Sequence, residues 1–433
     1  MTSGNTRQAE SRPRSLLPMI LSYAASGGSL VISSAAQLAT FAILARWLGV
    51  HEFSLFVAIT AIANIAVHMC GLGAMECLVR RVARDRAIYP AMLGHNIVLT
   101  SASGAVLVAA GAVILPFFFT LSPDPAANAA IIALMLVTNV VLVRVIVLSE
   151  QIFIAHSDFA SANAVVIGFA LTRTAAVALA CFGFGVASVA AWAVWQFVAH
   201  VVVALACLAF IRRLGRPVFG IVREELPQGL YFSIPFILHA VRQNADLLVL
   251  SLVASAEIVS SYSLARRMLE SSYLAVEALN RLLYPGLSRA AANGLHNAVG
   301  RVRSVLVAAS AIGAATAVAM YALAPVLPYI FGHDYVSLVP FMRILCWLAV
   351  PLGIRSVALE ALGAAGYQAQ RATVMGVGSL AGAMLSAWAT WYSPPLGTFV
   401  SFYIIEFMMV IASWAMFARL VRRDRAVSAW GGR

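Results

Sequence analysis

Eight arginines, Arg144, Arg173, Arg242, Arg266, Arg267, Arg281, Arg343 and Arg355, interrupt stretches of sequence that are otherwise apolar. A guanidinium stays charged and presents five N–H donors in a planar fork that fits carboxylate or phosphate oxygens. At the centre of a bilayer each one costs about 2.5–3.5 kcal/mol on insertion scales. Eight of them therefore require partners, an aqueous cavity or an anionic ligand. At 1.5 Å rise per residue, Arg144, Arg281 and Arg355 fall near span ends, where snorkelling to the interface is expected. Arg173, Arg242, Arg266 and Arg267 fall near mid-membrane.

Polar neighbours cluster on helical faces. His239, Arg242, Gln243 and Asp246 lie within about 100° of one another at 100° per residue. Arg266, Glu270, Tyr273, Glu277 and Arg281 form a stripe about 80° wide by the same count. A milder stripe, Ser22, Ser26, Ser29, Ser33, Gln37 and Thr40, also keeps to one face. Arg242–Asp246, Arg266–Glu270 and Glu277–Arg281 are i,i+4 pairs able to neutralise one another, and serines are common packing residues in membrane helices. Three polar faces on three helices nevertheless point to a cavity between them. Isolated His68, His95, His156 and His200 read as core or interface residues. Glu406, alone in the last apolar stretch, is open as a proton site or a helix-to-helix hydrogen bond.

These residues must be carried by membrane helices. Of 433 residues, 62% are apolar or aromatic and 11% charged, against about 25% charged in a soluble domain. Every one of the 29 basic residues is Arg. Without Lys there is no phosphate-binding GxxxxGK[ST] loop and no Schiff-base chemistry, so ATP hydrolysis by this chain is excluded as a power source. No HExxH, DxD or GxSxG pattern is present. Cys70, Cys77, Cys181, Cys207 and Cys346 stand singly in apolar stretches and read as core residues, not as metal ligands or disulfides. The net charge of +12 fits retention of basic loops beside an anionic leaflet and not nucleic-acid binding.

An apolar helix needs about 20 residues to cross the hydrocarbon layer. Twelve such spans are expected, at 17–45, 53–75, 92–119, 127–149, 160–182, 188–211, 229–253, 257–284, 302–330, 337–362, 371–391 and 396–418. Placing both termini in the cytoplasm puts twenty loop and tail arginines inside and only Arg46 outside, the asymmetry expected of cytoplasmic loops. The expected organisation is a tail (1–16), a six-helix lobe (17–211), a linker (212–228), a second six-helix lobe (229–418) and a tail (419–433). LGVHEFSLFVAI (48–59) resembles VASAEIVSSYSLA (253–265) at an offset of 205, which also places Arg84 on Arg289. An even span number per half sets the repeat axis along the membrane normal, as for two lobes around a central cavity. The outer loops, Thr120–Ala126 and Gly332–Val336 among them, are too short to form an enzyme domain.

LARWLGVHEFSLF (44–56), GLG (71–73), NADLLVLSLVASAEIVSSYSLARR (244–267), LLYPGLSR (282–289), FGHDYVSLVPFMRIL (331–345) and LEALGAAGYQAQR (359–371) occur in that order. With them the chain resembles, over nearly its whole length, the Wzx-type lipid-linked oligosaccharide flippases. These form the polysaccharide transporter family of the multidrug/oligosaccharidyl-lipid/polysaccharide exporter (MOP) superfamily. The resemblance implies a V-shaped, all-helical transporter with its cavity lined by spans one, two, seven and eight. It implies transfer of an undecaprenyl-diphosphate-linked oligosaccharide from the inner to the outer leaflet of the bacterial cytoplasmic membrane. Membrane lipid is an expected partner, with a polysaccharide polymerase and chain-length machinery as candidate protein partners. No cofactor or metal is expected beyond a coupling proton or Na⁺.

On that basis Arg242, Arg266 and Arg267, with Arg173, are expected to attract the diphosphate. Ser26, Ser33, Gln37 and Tyr273 would hydrogen-bond sugar hydroxyls. Asp246, Glu270 and Glu277 would hold the arginines or bind a coupling ion. A drug or metabolite antiporter of the same superfamily is the first alternative, followed by a membrane glycan polymerase or ligase and by a scaffold. A cavity rich in Arg disfavours cationic drugs, and the short outer loops disfavour an enzyme.

Overall fold

The computed structural model describes residues 16–274, 276, 286–291 and 294–431, with side chains described between residues 28 and 426. Among these residues every regular element is helical. Leu16–Met69 is helical apart from Gly49, where φ is 71° and ψ 176°. Phe41 nevertheless packs edge-on to Phe53 with centroids 6.0 Å apart. Twelve residues of straight helix would separate them by about 18 Å, so the chain folds back at Gly49. The left-handed φ is one that glycine adopts without steric cost. The segment is thus two helices, α1 (16–48) and α2 (50–69).

A short helix, α3 (Ala74–Val82), follows the GLG turn. Then come α4 (Arg86–Phe117), α5 (Pro125–Ala155), α6 (Phe159–Gly183) and α7 (Val189–Leu214), completing the first lobe. The second lobe holds α8 (Arg223–Val253), α9 (Ala256–Ser272), α10 (Leu295–Phe331), α11 (Leu338–Ala364), α12 (Gln368–Tyr392) and α13 (Leu396–Ala426). Ten segments among the described residues are long and apolar enough to span a membrane, the hairpin α1–α2 being counted as one. The described part of α9 is 17 residues long, which keeps it from being counted. With the hairpin opened into two and α9 added, each expected span has its helix. The protein is a multi-pass membrane protein.

The repeat is visible in how the helices are tied. Glu52 and Glu257 stand 205 residues apart, and each accepts a hydrogen bond from the backbone N–H at a helix start. Glu52 takes that of Val189 at 2.7 Å, and Glu257 takes that of Ser337 at 2.7 Å. A carboxylate there satisfies an orphan donor and complements the positive end of the helix.

At the arginine-poor end the lobes are joined. Tyr335 donates to the Ala45 carbonyl at 2.6 Å, Ser260 to that of Val50 at 2.8 Å, and Arg46 to that of Tyr329 at 3.1 Å. One apolar cluster runs across both lobes here, from Leu44 and Phe53 to Tyr262, Tyr335 and Leu345. At the arginine-rich end the junction is narrower. A Cβ on Gly73 would overlap the Gly229 carbonyl, so glycine at both positions lets the two backbones touch. Beside them Glu225, buried in the linker, pairs with Arg80 at 3.0 Å and Arg81 at 3.2 Å. The rest of the linker lies along α4, with Val218 donating to Pro90 O and Val222 to His95 Nδ1.

Two details differ from the sequence-based expectation. The segment 419–431, expected as a tail, continues α13 as helix to Gly431, because ARLVRRDRAVSAW contains no Gly or Pro to stop it. Asp424 anchors this extension by accepting from Leu295 N and from the Tyr367 hydroxyl. Arg144 and Arg355 do not snorkel. Arg144 is buried with Nη2 3.8 Å from Glu76, and Arg355 lies 2.6 Å from Glu406. The nearby carboxylates make burial less costly than reaching for the interface. The five cysteines are all buried and free.

Candidate functional site: two cavities divided by the eighth and ninth helices

Two cavities open from the middle of the bundle. The central one, about 340 Å³, lies between the lobes and is walled by α1, α2, α5, α6 and α7 on one side and α8 and α9 on the other. The second, about 500 Å³, lies within the second lobe between α8, α9, α11, α12 and α13. Gln243, Arg266, Arg267 and Glu270 face both. They form the partition.

Around the second-lobe cavity nearly every charge is matched. Arg242 Nη1 contacts Glu406 Oε1 at 3.1 Å, and Arg355 contacts the other oxygen of the same carboxylate. Arg371 pairs with Glu360 at 2.9 Å. Arg266, only 7% exposed, spends its fork on Asp246, Glu270 and the Gln243 carbonyl. Asp246 in turn accepts from Tyr262 and from its neighbour Leu247 N. Buried pairs of this kind offset their own desolvation only when fully bonded, and removing one member leaves a bare buried charge.

The expected Arg242–Asp246 pair along α8 is therefore not made. Asp246 is drawn across to Arg266 and Tyr262 on α9, while Arg242 reaches Glu406 on α13. The Arg266–Glu270 pair is present at 3.2 Å. Glu406 bridges two arginines, on α8 and α11, and so makes a helix-to-helix contact.

The central cavity differs. Arg173 lies on α6 with its guanidinium 5.5 Å from the Phe169 ring centroid, and its Nε has no hydrogen-bond partner. No carboxylate of the described residues lies within ion-pair distance of it. Arg267 contacts Glu270 through Nη1 at 3.1 Å and rests 4.9 Å over the Phe41 ring, with its Nε also unpartnered. Among the described residues three arginines face this space against one carboxylate, Glu270. An aromatic face attracts a cation without supplying a counter-charge, so both guanidinia keep donors for a ligand.

The stripe on α1 splits. Gln37 and Thr40 line the central cavity, yet Thr40 bonds Thr174 at 2.9 Å and Ser29 donates to Asn163 at 3.1 Å, both on α6. Small hydroxyls let α1 and α6 approach closely, so at Ser29 and Thr40 this face is a packing seam. Ser33 is half-buried and does not line either cavity. Tyr273 lines the second-lobe cavity. The side chains of Ser22 and Ser26, and Glu277 and Arg281 altogether, lie outside the described residues.

Sequence reading passed over the first-lobe wall. Thr60, Asn64 and His68 on α2, and Trp192, Gln196 and His200 on α7, line the central cavity. Each set follows i, i+4, i+8 spacing and so forms one helical stripe. That periodicity was the available signal. It is masked because two members are histidines that read as core and one is a tryptophan.

Residues 23–291, more than half of the chain, match the family described as Polysaccharide biosynthesis protein. The chain belongs to that family. No curated protein matches it. Among solved structures it is similar to an inward-facing multidrug resistance MATE family transporter of the MOP superfamily. The TM-score is 0.75 and the identity 14%, over 92% of this chain and 96% of that one. It is also similar to the lipid II flippase MurJ in an inward closed conformation, with TM-score 0.65 and 15% identity, over 94% of this chain and 91% of MurJ. A MOP superfamily transporter from Pyrococcus furiosus gives 0.62 and 14%, over 93% and 96%. The polysaccharide biosynthesis family member described here thus has the MOP transporter fold.

Proposed function

We propose that the protein flips an undecaprenyl-diphosphate-linked oligosaccharide from the cytoplasmic to the periplasmic leaflet of the bacterial inner membrane. The arginine-rich end faces the cytoplasm, transport is by alternating access, and the product feeds O-antigen or exopolysaccharide synthesis. The observation that carries this reading is the pair Arg173 and Arg267, two guanidinia whose Nε has no partner among the described residues, facing a cavity between the lobes. A diphosphate offers acceptor oxygens for both, and exclusion of water strengthens each charge-assisted bond. Arg242 and Arg266 act here as positioning residues, since each is ion-paired to a buried carboxylate, Arg242 to Glu406 and Arg266 to Asp246. The contacts that close the arginine-poor end suit a state loaded from the cytoplasmic leaflet. Family membership supports a polysaccharide intermediate as the cargo.

Drug antiport is the second reading, favoured by the likeness to the MATE transporter. A cavity facing three arginines and one carboxylate opposes it, because cationic drugs would meet net repulsion. The deciding experiment is a deletion strain. Lipid-linked repeat units should accumulate on the cytoplasmic leaflet while surface polysaccharide disappears. Accumulation facing the periplasm would assign a polymerase instead, and undiminished surface polysaccharide would reject the proposal.

A further inference from the structure

The first-lobe wall of the central cavity carries polar atoms that no described residue satisfies. Trp192 is 1% exposed and Gln196 3%, yet Trp192 Nε1 and Gln196 Oε1 both lack a hydrogen-bond partner. Thr60 Oγ1, across the wall on α2, is in the same condition. Leaving a buried polar atom unpaired costs about 1–3 kcal/mol. Three such atoms lining one cavity mark a place built to receive something.

Their orientation is set by a relay. Residues Val137–Leu142 of α5 widen into a π-turn, a departure from regular helix that is frequent at functional sites. Asn139 sits in this turn and donates through Nδ2 to the Met135 carbonyl at 2.8 Å. A carbonyl only accepts, so the Asn139 oxygen faces away and takes Gln196 Nε2 at 3.0 Å. Gln196, which lines the cavity, is left with Oε1 as its one unpartnered polar atom. Its neighbour one turn earlier, Trp192, contributes an N–H.

The chemistry of the missing ligand follows. Trp Nε1 only donates, the Gln oxygen only accepts, and Thr60 does both. No carboxylate of this wall would bind a cation. An inorganic anion would be repelled by Gln196 Oε1. A hydroxyl gives to one partner and receives from the other, and a polyhydroxylated neutral group does so repeatedly.

We infer that Thr60, Trp192 and Gln196, with Asn139 as the positioning residue, form a subsite for a neutral sugar of the cargo. It shares the central cavity with the guanidinia that take the diphosphate. The inference rests on the flippase reading and extends it. It adds sugar recognition on α2 and α7 to the α1 face, where Ser29 and Thr40 are bonded to α6.

The test compares two probes on purified protein in lipid nanodiscs: undecaprenyl diphosphate, and the lipid-linked glycan fraction extracted from the strain deleted for this gene. Gln196→Leu and Trp192→Phe should each weaken binding of the glycan-bearing lipid about tenfold, as expected for one lost hydrogen bond to a buried partner. Affinity for undecaprenyl diphosphate should stay at the wild-type value, which also shows that the variants are folded. Arg173→Gln should weaken both probes. Unchanged affinity of Gln196→Leu and Trp192→Phe for the glycan-bearing lipid would overturn the subsite, as would equal loss for both probes. Wild-type protein that binds neither probe would instead overturn the flippase reading itself.

Discussion

Arg266 and Arg173 face the same cavity from opposite lobes and live under opposite conditions. Arg266 has every donor group engaged by Asp246, Glu270 and a carbonyl, whereas Arg173 has a ring beneath it and no counter-ion among the described residues. The contrast extends to the walls. Among the described residues the second lobe sets four carboxylates among the five arginines of its cavity; the first-lobe wall presents one guanidinium, Arg173, and no carboxylate. A charge inside a membrane protein is thus read by its partners and not by its depth. Paired charges hold helices together, and unpaired ones are free to meet a ligand.

If the second-lobe charges are structural, breaking them should cost stability first. Asp246→Leu strips Arg266 and Tyr262 of their shared acceptor, and about 3–5 kcal/mol of destabilisation is expected. Thermal unfolding of purified protein, together with the amount reaching the membrane, measures this. A fully stable Asp246→Leu that fails only in transport would instead make Asp246 a coupling residue. Next comes the Glu406 bridge. Glu406→Gln should destabilise by a smaller margin, since an amide still accepts a hydrogen bond, and Arg355→Leu in the same chain should recover part of the loss. Absence of that recovery in a double-mutant cycle would show that the two groups are not energetically coupled. The smallest effect is expected at the packing seam. Ser29→Ala removes one interhelical hydrogen bond between α1 and α6, worth about 0.6 kcal/mol in membrane proteins. A transport defect in that variant, at normal stability, would return the α1 stripe to the substrate path.

Much of the architecture was legible in sequence because the bilayer imposes a length on every helix and arginine avoids one side. Span positions follow from those two rules and the 205-residue repeat from the likeness of 48–59 to 253–265, and Glu52 and Glu257 carry the repeat into matching contacts. The partners of the arginines were not legible. An i,i+4 rule names neighbours on one helix, so Arg266–Glu270 was found, but Arg242–Glu406 spans 164 residues and belongs to tertiary packing. Arg355 looked like a snorkelling residue because its distance from a span end was visible and Glu406 was not. The α7 stripe was passed over for a related reason. Trp192, Gln196 and His200 are neutral, and neutral polar groups raise no alarm in an apolar stretch until their unpaired atoms are seen.

The claim on which the account turns is that Arg173 is held uncompensated so that an anionic head group can complete it. The direct measurement is the affinity of purified protein for undecaprenyl diphosphate, wild type against Arg173→Gln, with the unfolding temperature recorded for both. A charge-assisted hydrogen bond is worth about 1.5–3 kcal/mol, so at least a tenfold weaker affinity is expected, with the unfolding temperature unchanged. Equal affinity in the two proteins would contradict the account, because Arg173 would then be a buried charge that the ligand never meets.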